Sequence, residues 1–146
     1  MIVGASVAGA LTALRLGNAG IACAVFESRK LPWAKVCGEG FHPPGRRALE
    51  EVIGDVTTLG WQLRGFRFTT ATAELIALDH PAPHVGLGCD RFLLEQRLWH
   101  DLTEHPLVTF RPGCSVHDVQ KDADGWVVET PRGSLQASHV VAADGV

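Results

Sequence analysis

The sequence predicts an α/β fold, a three-layer domain with a parallel sheet, helices and an antiparallel β-meander. A glycine-rich turn, Gly4–Gly9, lies between a short apolar stretch and a helix-like segment. The run Ile21–Phe26 is continuously apolar, which is typical of a parallel strand covered on both faces. Turn residues separate three strand-like stretches near the end of the chain, and this spacing predicts antiparallel hairpins.

The chain begins with a predicted βαβ unit. Residues Met1–Val3 are an apolar stub, a helix is predicted over Val7–Asn18, and Gly20 suits the position after its C-terminus. The strand Ile21–Phe26 completes the order strand, tight turn, helix, strand. This order is that of a βαβ unit with two parallel strands.

The rest of the chain alternates loops with short elements. A loop with proline and glycine spans 28–43, and a Pro/His/Gly loop precedes Asp90. We treat 1–146 as one domain, with 62–88 as a β insertion. The predicted elements are helix Pro44–Ile53, strands Gln62–Thr70 and Glu74–Leu78, a helix capped by Asp90 and running to Thr103, and strands Val108–Phe110, Ser115–Lys121, Trp126–Thr130, Ser134–Ala137 and His139–Ala143.

The composition argues against several function classes. The net charge is −3 and Lys and Arg form no basic run, so nucleic acid is not expected as a partner. No apolar stretch reaches the roughly 20 residues of a membrane span, and no secretory leader is visible. We therefore expect a cytoplasmic protein, while peripheral contact with a membrane stays open.

The sequence predicts neither a disulfide framework nor a metal site. The four cysteines are widely spaced, without a C-x-x-C pair, and free thiols are the better interpretation. His80, His84 and Cys89 lie close together in sequence, but Pro81 and Pro83 forbid the helix that would align the two histidines on a zinc ion. A surface loop is the simpler interpretation of that segment.

The turn Gly4-Ala5-Ser6-Val7-Ala8-Gly9 carries the first functional signal. It matches the dinucleotide-binding pattern G-x-G-x-x-G except that Ser6 replaces the middle glycine. Gly4 permits the tight turn and Gly9 permits close packing of helix on strand. The N–H groups at the start of the helix would meet phosphate charge, and the Ser6 hydroxyl could donate to a phosphate oxygen. A tight loop without a ligand is the alternative.

An acidic residue strengthens this prediction. Glu27 closes the second strand, 18 residues after Gly9, where an acid accepts hydrogen bonds from ribose hydroxyls and would repel a 2′-phosphate. The alternative for Glu27 is a solvated acid at a strand end. Together, strand, turn, helix, strand and acid predict that the chain binds a dinucleotide such as FAD or NAD.

Four segments in order resemble one family. The opening 2–27, the stretch Lys35–Gly40, the helix start Arg91-Phe-Leu-Leu-Glu95-Gln-Arg-Leu98 and the end Val140–Gly145 are similar to the FAD-dependent monooxygenase (aromatic-ring hydroxylase) and geranylgeranyl reductase-like superfamily. The resemblance implies a Rossmann-like FAD/NAD(P)-binding domain in an FAD-dependent oxidoreductase. It implies NAD(P)H as the reductant of the full-length enzyme and a small aromatic, polyketide or isoprenoid molecule as substrate.

The resemblance also implies cofactor contacts. The turn residues would face the FAD pyrophosphate, and Glu27 with Ser28 and Arg29 would lie along the adenosine half. The stretch Lys35–Gly38 would lie near the ribityl chain or the isoalloxazine, and Arg91 would contact the pyrophosphate or the ribityl region. Val116 would meet adenine through its backbone, and Asp144 with Gly145 begins the second cofactor-contacting motif. The implied set is Gly4, Ala5, Ser6, Val7, Ala8, Gly9, Glu27, Ser28, Arg29, Lys35, Val36, Cys37, Gly38, Arg91, Val116, Asp144 and Gly145.

The sequence departs from the family at both ends. The first strand is short, and the family's substrate-binding sheet and later Gly-Asp motif do not follow Gly145. We therefore expect an N-terminal fragment whose domain is incomplete at the C-terminus, with weak retention of FAD and no assignable catalytic residue. Two alternatives stay open, an NAD-binding dehydrogenase domain and a nucleotide-binding module without chemistry of its own.

Overall fold

The computed structural model describes residues 1–30, 37 and 40–145. Its helices are α1 (Val7–Asn18), α2 (Pro43–Ile53) and α3 (Arg91–Glu104), with a 3₁₀ turn at Thr57–Leu59. Its strands are β1 (Ile2–Val3), β2 (Cys23–Glu27), β3 (Gly40–Phe41), β4 (Gly60–Leu63), β5 (Gly65–Thr69), β6 (Glu74–Asp79), β7 (Gly86–Cys89), β8 (Val108–Pro112), β9 (Asp118–Asp122), β10 (Gly125–Thr130), β11 (Gly133–Ala137) and β12 (Val141–Ala142).

The chain divides into two compact units. The first unit contains Met1–Ala34 and Glu95–Val146, and the second contains Lys35–Leu94. The second unit is therefore a single insertion in the sequence of the first. None of the helices in the described ranges has both the length and the apolar character that a membrane span requires.

The first unit is built on a four-stranded parallel sheet with the order β12-β1-β2-β8. Ile2 pairs with Val25 on one side and with Val141 on the other, so the short β1 lies inside the sheet. Helix α1 has the predicted bounds, and Gly20, with φ +81°, follows its C-terminus. The predicted βαβ unit is confirmed.

The core of the first unit is formed by apolar side chains of the sheet, α1, α3 and β10. Ile2, Val25, Leu98, Leu102 and Val128 are completely buried. Removal of this surface from water supplies the main stabilisation of the unit. An antiparallel sheet of order β11-β10-β9 forms the predicted meander, which is also confirmed.

The second unit differs from the sequence prediction. The stretch Gln62–Thr70 was predicted as one strand, but Arg64 separates β4 from β5, and these strands lie in different sheets. The predicted loops also contain two strands, β3 and β7, which pair with each other in the order β3-β7-β4. The glycines of β7 explain why this segment was predicted as a loop. A Cβ at Gly88 would overlap the Trp61 indole, so glycine is needed where the side chain of β4 packs against β7.

Candidate functional site

The candidate site lies at the carboxyl ends of three neighbouring strands in the first unit. The glycine turn follows β1, Glu27 ends β2, and Asp144 follows β12. Because these strands are parallel and adjacent, all three segments emerge at one edge of the sheet. Open α/β sheets bind their ligands in the crevice outside this edge.

The turn itself requires its two glycines. Gly4 has φ +94°, and a Cβ there would collide with the backbone of Ala143 and Asp144. A Cβ at Gly9 would collide with the Gly4 carbonyl oxygen. The turn, the start of α1 and the segment after β12 are therefore in backbone contact, and no larger side chain fits between them. This is the close-packed cradle that a pyrophosphate group needs.

Glu27 is bound to the turn. Its carboxylate Oε2 accepts the backbone N–H of Ala5 at 2.9 Å, and its Oε1 accepts the N–H of Arg29 at 2.9 Å and the Ser28 hydroxyl at 3.3 Å. The side chain is only 7% exposed, which argues against the alternative of a solvated acid at a strand end. A carboxylate has about four acceptor positions, so capacity remains for a ribose hydroxyl.

The Ser6 hydroxyl differs from expectation. The sequence suggested donation to a phosphate oxygen, but Ser6 Oγ donates to Glu95 Oε1 at 2.8 Å. Glu95 lies on α3 and is 2% exposed. A hydroxyl has one proton to donate, and Glu95 takes it, so this donation to a phosphate is not available in the observed arrangement.

Trp99 is a site residue that the sequence analysis missed. Its indole Nε1 donates to the Ala5 carbonyl at 2.8 Å, and the side chain is 5% exposed. One sequence feature could have indicated it: Trp99 lies four residues after Glu95, and residues at this spacing share one face of a helix.

A second group of predicted contacts lines a cavity in the first unit. Val116 and Asp144 lie on its wall together with Val3, Trp126 and Ala142, and its volume is about 490 Å³. Gly145, with φ +81°, follows Asp144. The structure thus brings the predicted adenine and second-motif residues to one cavity wall.

The predicted segment Lys35–Gly38 is only partly described. Cys37 lies in the second unit, where Arg91 Nη1 donates to its Sγ at 3.4 Å. Lys35, Val36 and Gly38 lie outside the described residues. Two residues that the resemblance placed near the flavin are therefore in contact with each other. Arg91 is the first residue of α3, which Asp90 caps by accepting the N–H of Phe92 at 2.7 Å.

The four cysteines should differ in reactivity. All four are free thiols; Cys37 is exposed, whereas Cys89 and Cys114 are buried. Burial raises the pKa of the Cys23 thiol, although the N-terminal ammonium opposes the shift. The reactive thiolate of Cys23 therefore forms at a higher pH than that of an ordinary thiol. We expect iodoacetamide to label Cys37 first at pH 7 and Cys23 to become reactive only at a higher pH than an ordinary thiol, measured by mass spectrometry. Equal labelling of Cys23 and Cys37 at pH 7 would contradict this order.

Comparison with known proteins places this arrangement in a fold family. No protein-family model matches the sequence, and no curated protein matches it. Solved structures do match, each over 99% of this chain. Among them are p-nitrophenol 4-monooxygenase PnpA from Pseudomonas putida (26% identity, TM-score 0.85), PqsL, a probable FAD-dependent monooxygenase from Pseudomonas aeruginosa (20%, 0.84), and a geranylgeranyl bacteriochlorophyll reductase-like protein from Thermoplasma acidophilum (19%, 0.79).

The match covers a part of each of those proteins. This chain spans 40% of PnpA, 42% of PqsL and 38% of the reductase-like protein. The resemblance seen in the sequence is therefore confirmed at the level of fold. The chain has the fold of part of these proteins, which include a probable FAD-dependent monooxygenase and a geranylgeranyl bacteriochlorophyll reductase-like protein.

Proposed function

We propose that this chain binds FAD as part of a flavin-dependent oxidoreductase. The observation that carries the proposal is the turn after β1, where Gly4 and Gly9 leave no space for a side chain and Glu27 holds the Ala5 N–H. This combination fits the pyrophosphate and ribose of a dinucleotide. The likeness to PqsL, whose name describes a probable FAD-dependent enzyme, supports FAD as the dinucleotide.

The residues present suit the parts of the cofactor in order. Gly4 to Gly9 would hold the pyrophosphate, and Glu27, Ser28 and Arg29 would hold the adenosine. Val116 would meet adenine through its backbone, and Asp144 with Gly145 would hold the middle of the molecule. Lys35 to Gly38 would lie near the ribityl chain or the isoalloxazine, and Arg91 would contact the pyrophosphate or the ribityl region. No residue of the chain is assigned a catalytic role.

The chemistry would come from the cofactor. Bound FAD supplies hydride transfer and, when reduced, activation of oxygen or reduction of a double bond. For the whole protein we propose NAD(P)H as the reductant and an aromatic, polyketide or isoprenoid molecule as substrate. The chain's own contribution is to bind and orient the cofactor, and we propose that it does so in the cytoplasm.

Titration of the intrinsic tryptophan fluorescence tests the proposal. FAD, NAD and ADP are added separately to the 146-residue chain, whose Trp99 lies against the turn. We expect FAD to bind at least tenfold more tightly than ADP. Equal affinities for FAD and ADP would support adenosine recognition alone, and tighter binding of NAD would support a dehydrogenase domain. Either result would overturn the FAD assignment.

We propose in addition that the insertion 62–88 contacts a substrate-binding part of the whole protein. In the hairpin of β5 and β6, Phe66 is paired with Leu78 and Phe68 with Ile76. Paired residues share a face, so one side of the hairpin is apolar. Phe68, Ile76 and Leu78 are 52%, 51% and 56% exposed. A two-stranded hairpin is marginally stable without a covering layer.

Substitution of the apolar hairpin face should reduce its affinity for a hydrophobic dye. We expect Ile76→Ser with Leu78→Ser to lower the fluorescence of bound 1-anilinonaphthalene-8-sulfonate about twofold and to leave FAD affinity unchanged, because the face is a contiguous exposed apolar patch. Leu135→Ser is the matched control, since Leu135 is 40% exposed on β11 of the meander. An equal loss in the control would show that the hairpin is not a distinct docking surface.

A further inference from the structure

Two side chains of α3 are hydrogen-bonded to the glycine turn. Glu95 and Trp99 lie one helical turn apart, and both are almost completely buried. Glu95 accepts the Ser6 hydroxyl and Trp99 donates to the Ala5 carbonyl, each at 2.8 Å. With the Ala5 N–H bound to Glu27, both backbone polar groups of Ala5 are fixed. The shape of the turn is therefore set by the end of β2 and by α3.

Ser6 lies at the N-cap of α1 but does not make the hydrogen bond that a serine usually makes there. It is the N-cap of α1, and at an N-cap a serine oxygen usually accepts an N–H of the first helical turn. Here Ser6 makes no such capping bond. Its backbone is extended, with φ −74° and ψ −173°, so the conformation itself is the usual one for an N-cap. The hydroxyl is engaged by Glu95.

The missing capping bond of Ser6 matters for a ligand at the turn. The first N–H groups of a helix have no carbonyl partner within the helix, and they are the groups that bind phosphate. A capping serine would compete with phosphate for the same donors. A glycine at this place, as in the standard pattern, has no side chain and no such competition. The replacement of glycine by Ser6 thus creates a competitor inside the cradle.

We infer that Glu95 is a positioning residue for dinucleotide binding: by accepting the Ser6 hydroxyl, it keeps that side chain away from the N–H groups of the first turn of α1. The inference rests on the proposed binding of FAD at the turn. In this role Glu95 acts through Ser6, whose hydroxyl it accepts. The pair explains how the turn tolerates serine at the place of the middle glycine.

A double-mutant cycle tests this role. FAD affinity is measured by flavin fluorescence anisotropy for the chain with Glu95→Met, with Ser6→Ala and with both changes. Methionine has a similar length but accepts no proton from Ser6. We expect Glu95→Met to weaken FAD binding five- to tenfold and Ser6→Ala to change it by less than threefold. In the double variant, the affinity should return to within about twofold of Ser6→Ala.

Measuring Glu95→Met in the chain that also carries Ser6→Ala distinguishes a role that acts through Ser6 from a general loss of structure. If Glu95 only supports the fold, Glu95→Met weakens FAD binding equally with serine or alanine at position 6, and the inference is overturned. Glu95→Gln keeps an acceptor oxygen, so its affinity should stay within threefold of the unchanged chain; a loss as large as that of Glu95→Met would overturn the inference.

Three further outcomes are decisive. If Glu95→Met does not fold, as judged by circular dichroism, Ser6→Ala and Glu95→Gln still decide, because a tenfold loss in either contradicts the inference. If the unchanged chain binds no FAD, the proposed function fails, and with it the premise of the inference. If the unchanged chain binds FAD but the cycle is additive, only the role of Glu95 fails.

Discussion

Gly9→Ala is expected to reduce FAD affinity at least 100-fold and to destabilise the chain. The new Cβ would overlap the Gly4 carbonyl oxygen and lie 3.2 Å from the Ala143 Cβ. The overlap with Gly4 is with backbone, so α1 must move away from β1 to accommodate the methyl group. Overpacking of this kind typically costs about 1–3 kcal/mol, and the movement also opens the cradle. Thermal unfolding and FAD titration measure the two effects.

Gly45→Ala is the matched control for this substitution. Gly45 lies in α2, where the atoms nearest to an added Cβ belong to the Phe41 side chain, the first of them at 3.3 Å, and a side chain can shift. Alanine also favours a helix over glycine by about 1 kcal/mol. We expect the control to fold and to bind FAD normally. Normal FAD affinity in Gly9→Ala would show that the turn is not the pyrophosphate site.

Glu27→Ala should lower both stability and nucleotide affinity. The carboxylate accepts the N–H groups of Ala5 and Arg29, and its loss leaves two backbone donors without that partner. An unsatisfied buried donor costs about 1–3 kcal/mol. We therefore expect the unfolding temperature to fall by roughly 5 °C or more and the affinity for FAD and ADP to fall at least tenfold. Glu104→Ala, at the exposed end of α3, should change the free energy of unfolding by less than about 0.5 kcal/mol.

The charge of Glu27 should also select against a 2′-phosphate. A carboxylate at the ribose repels the added negative charge, so 2′-phospho-ADP should bind more weakly than ADP. Glu27→Gln removes the charge and keeps one acceptor oxygen. We expect this variant to bring the two affinities together. A ratio unchanged by Glu27→Gln would place the adenosine ribose away from Glu27.

Sequence reasoning succeeded where the signal is local. The bounds of α1 follow from the glycine turn and Gly20, and the meander follows from turn residues between alternating strands. The position of Glu27 relative to Gly9 is also a local spacing. Each of these features depends on backbone preferences of neighbouring residues, and such preferences can be read without knowledge of the fold.

The errors concern contacts between residues that are distant in sequence. Strand β7 contains two glycines and looks like a loop, yet its pairing with β3 and β4 makes it the centre of a sheet. The Ser6–Glu95 hydrogen bond joins residues 89 positions apart, and the Trp99–Ala5 bond joins residues 94 apart. No local pattern specifies such pairs, because they depend on how α3 packs against the turn.

The support of the turn is the main structural result. A glycine motif alone predicts only a tight connection between strand and helix. The structure adds three buried side chains that fix this connection, namely Glu27, Glu95 and Trp99. Buried acceptors and donors that are hydrogen-bonded to the backbone and side chains of the turn hold it in one geometry, and preorganised N–H groups bind an anion with a smaller ordering cost.

The most direct test of FAD binding at this turn is an NMR titration of the ¹⁵N-labelled chain with FAD. Backbone amide shifts report where the dinucleotide touches the chain. We expect the largest changes on Ser6 to Gly9 and on Arg29, with the meander hairpin turns unchanged. Saturable binding with its largest changes on other segments, and none at the turn, would contradict the claim that this turn is the FAD site.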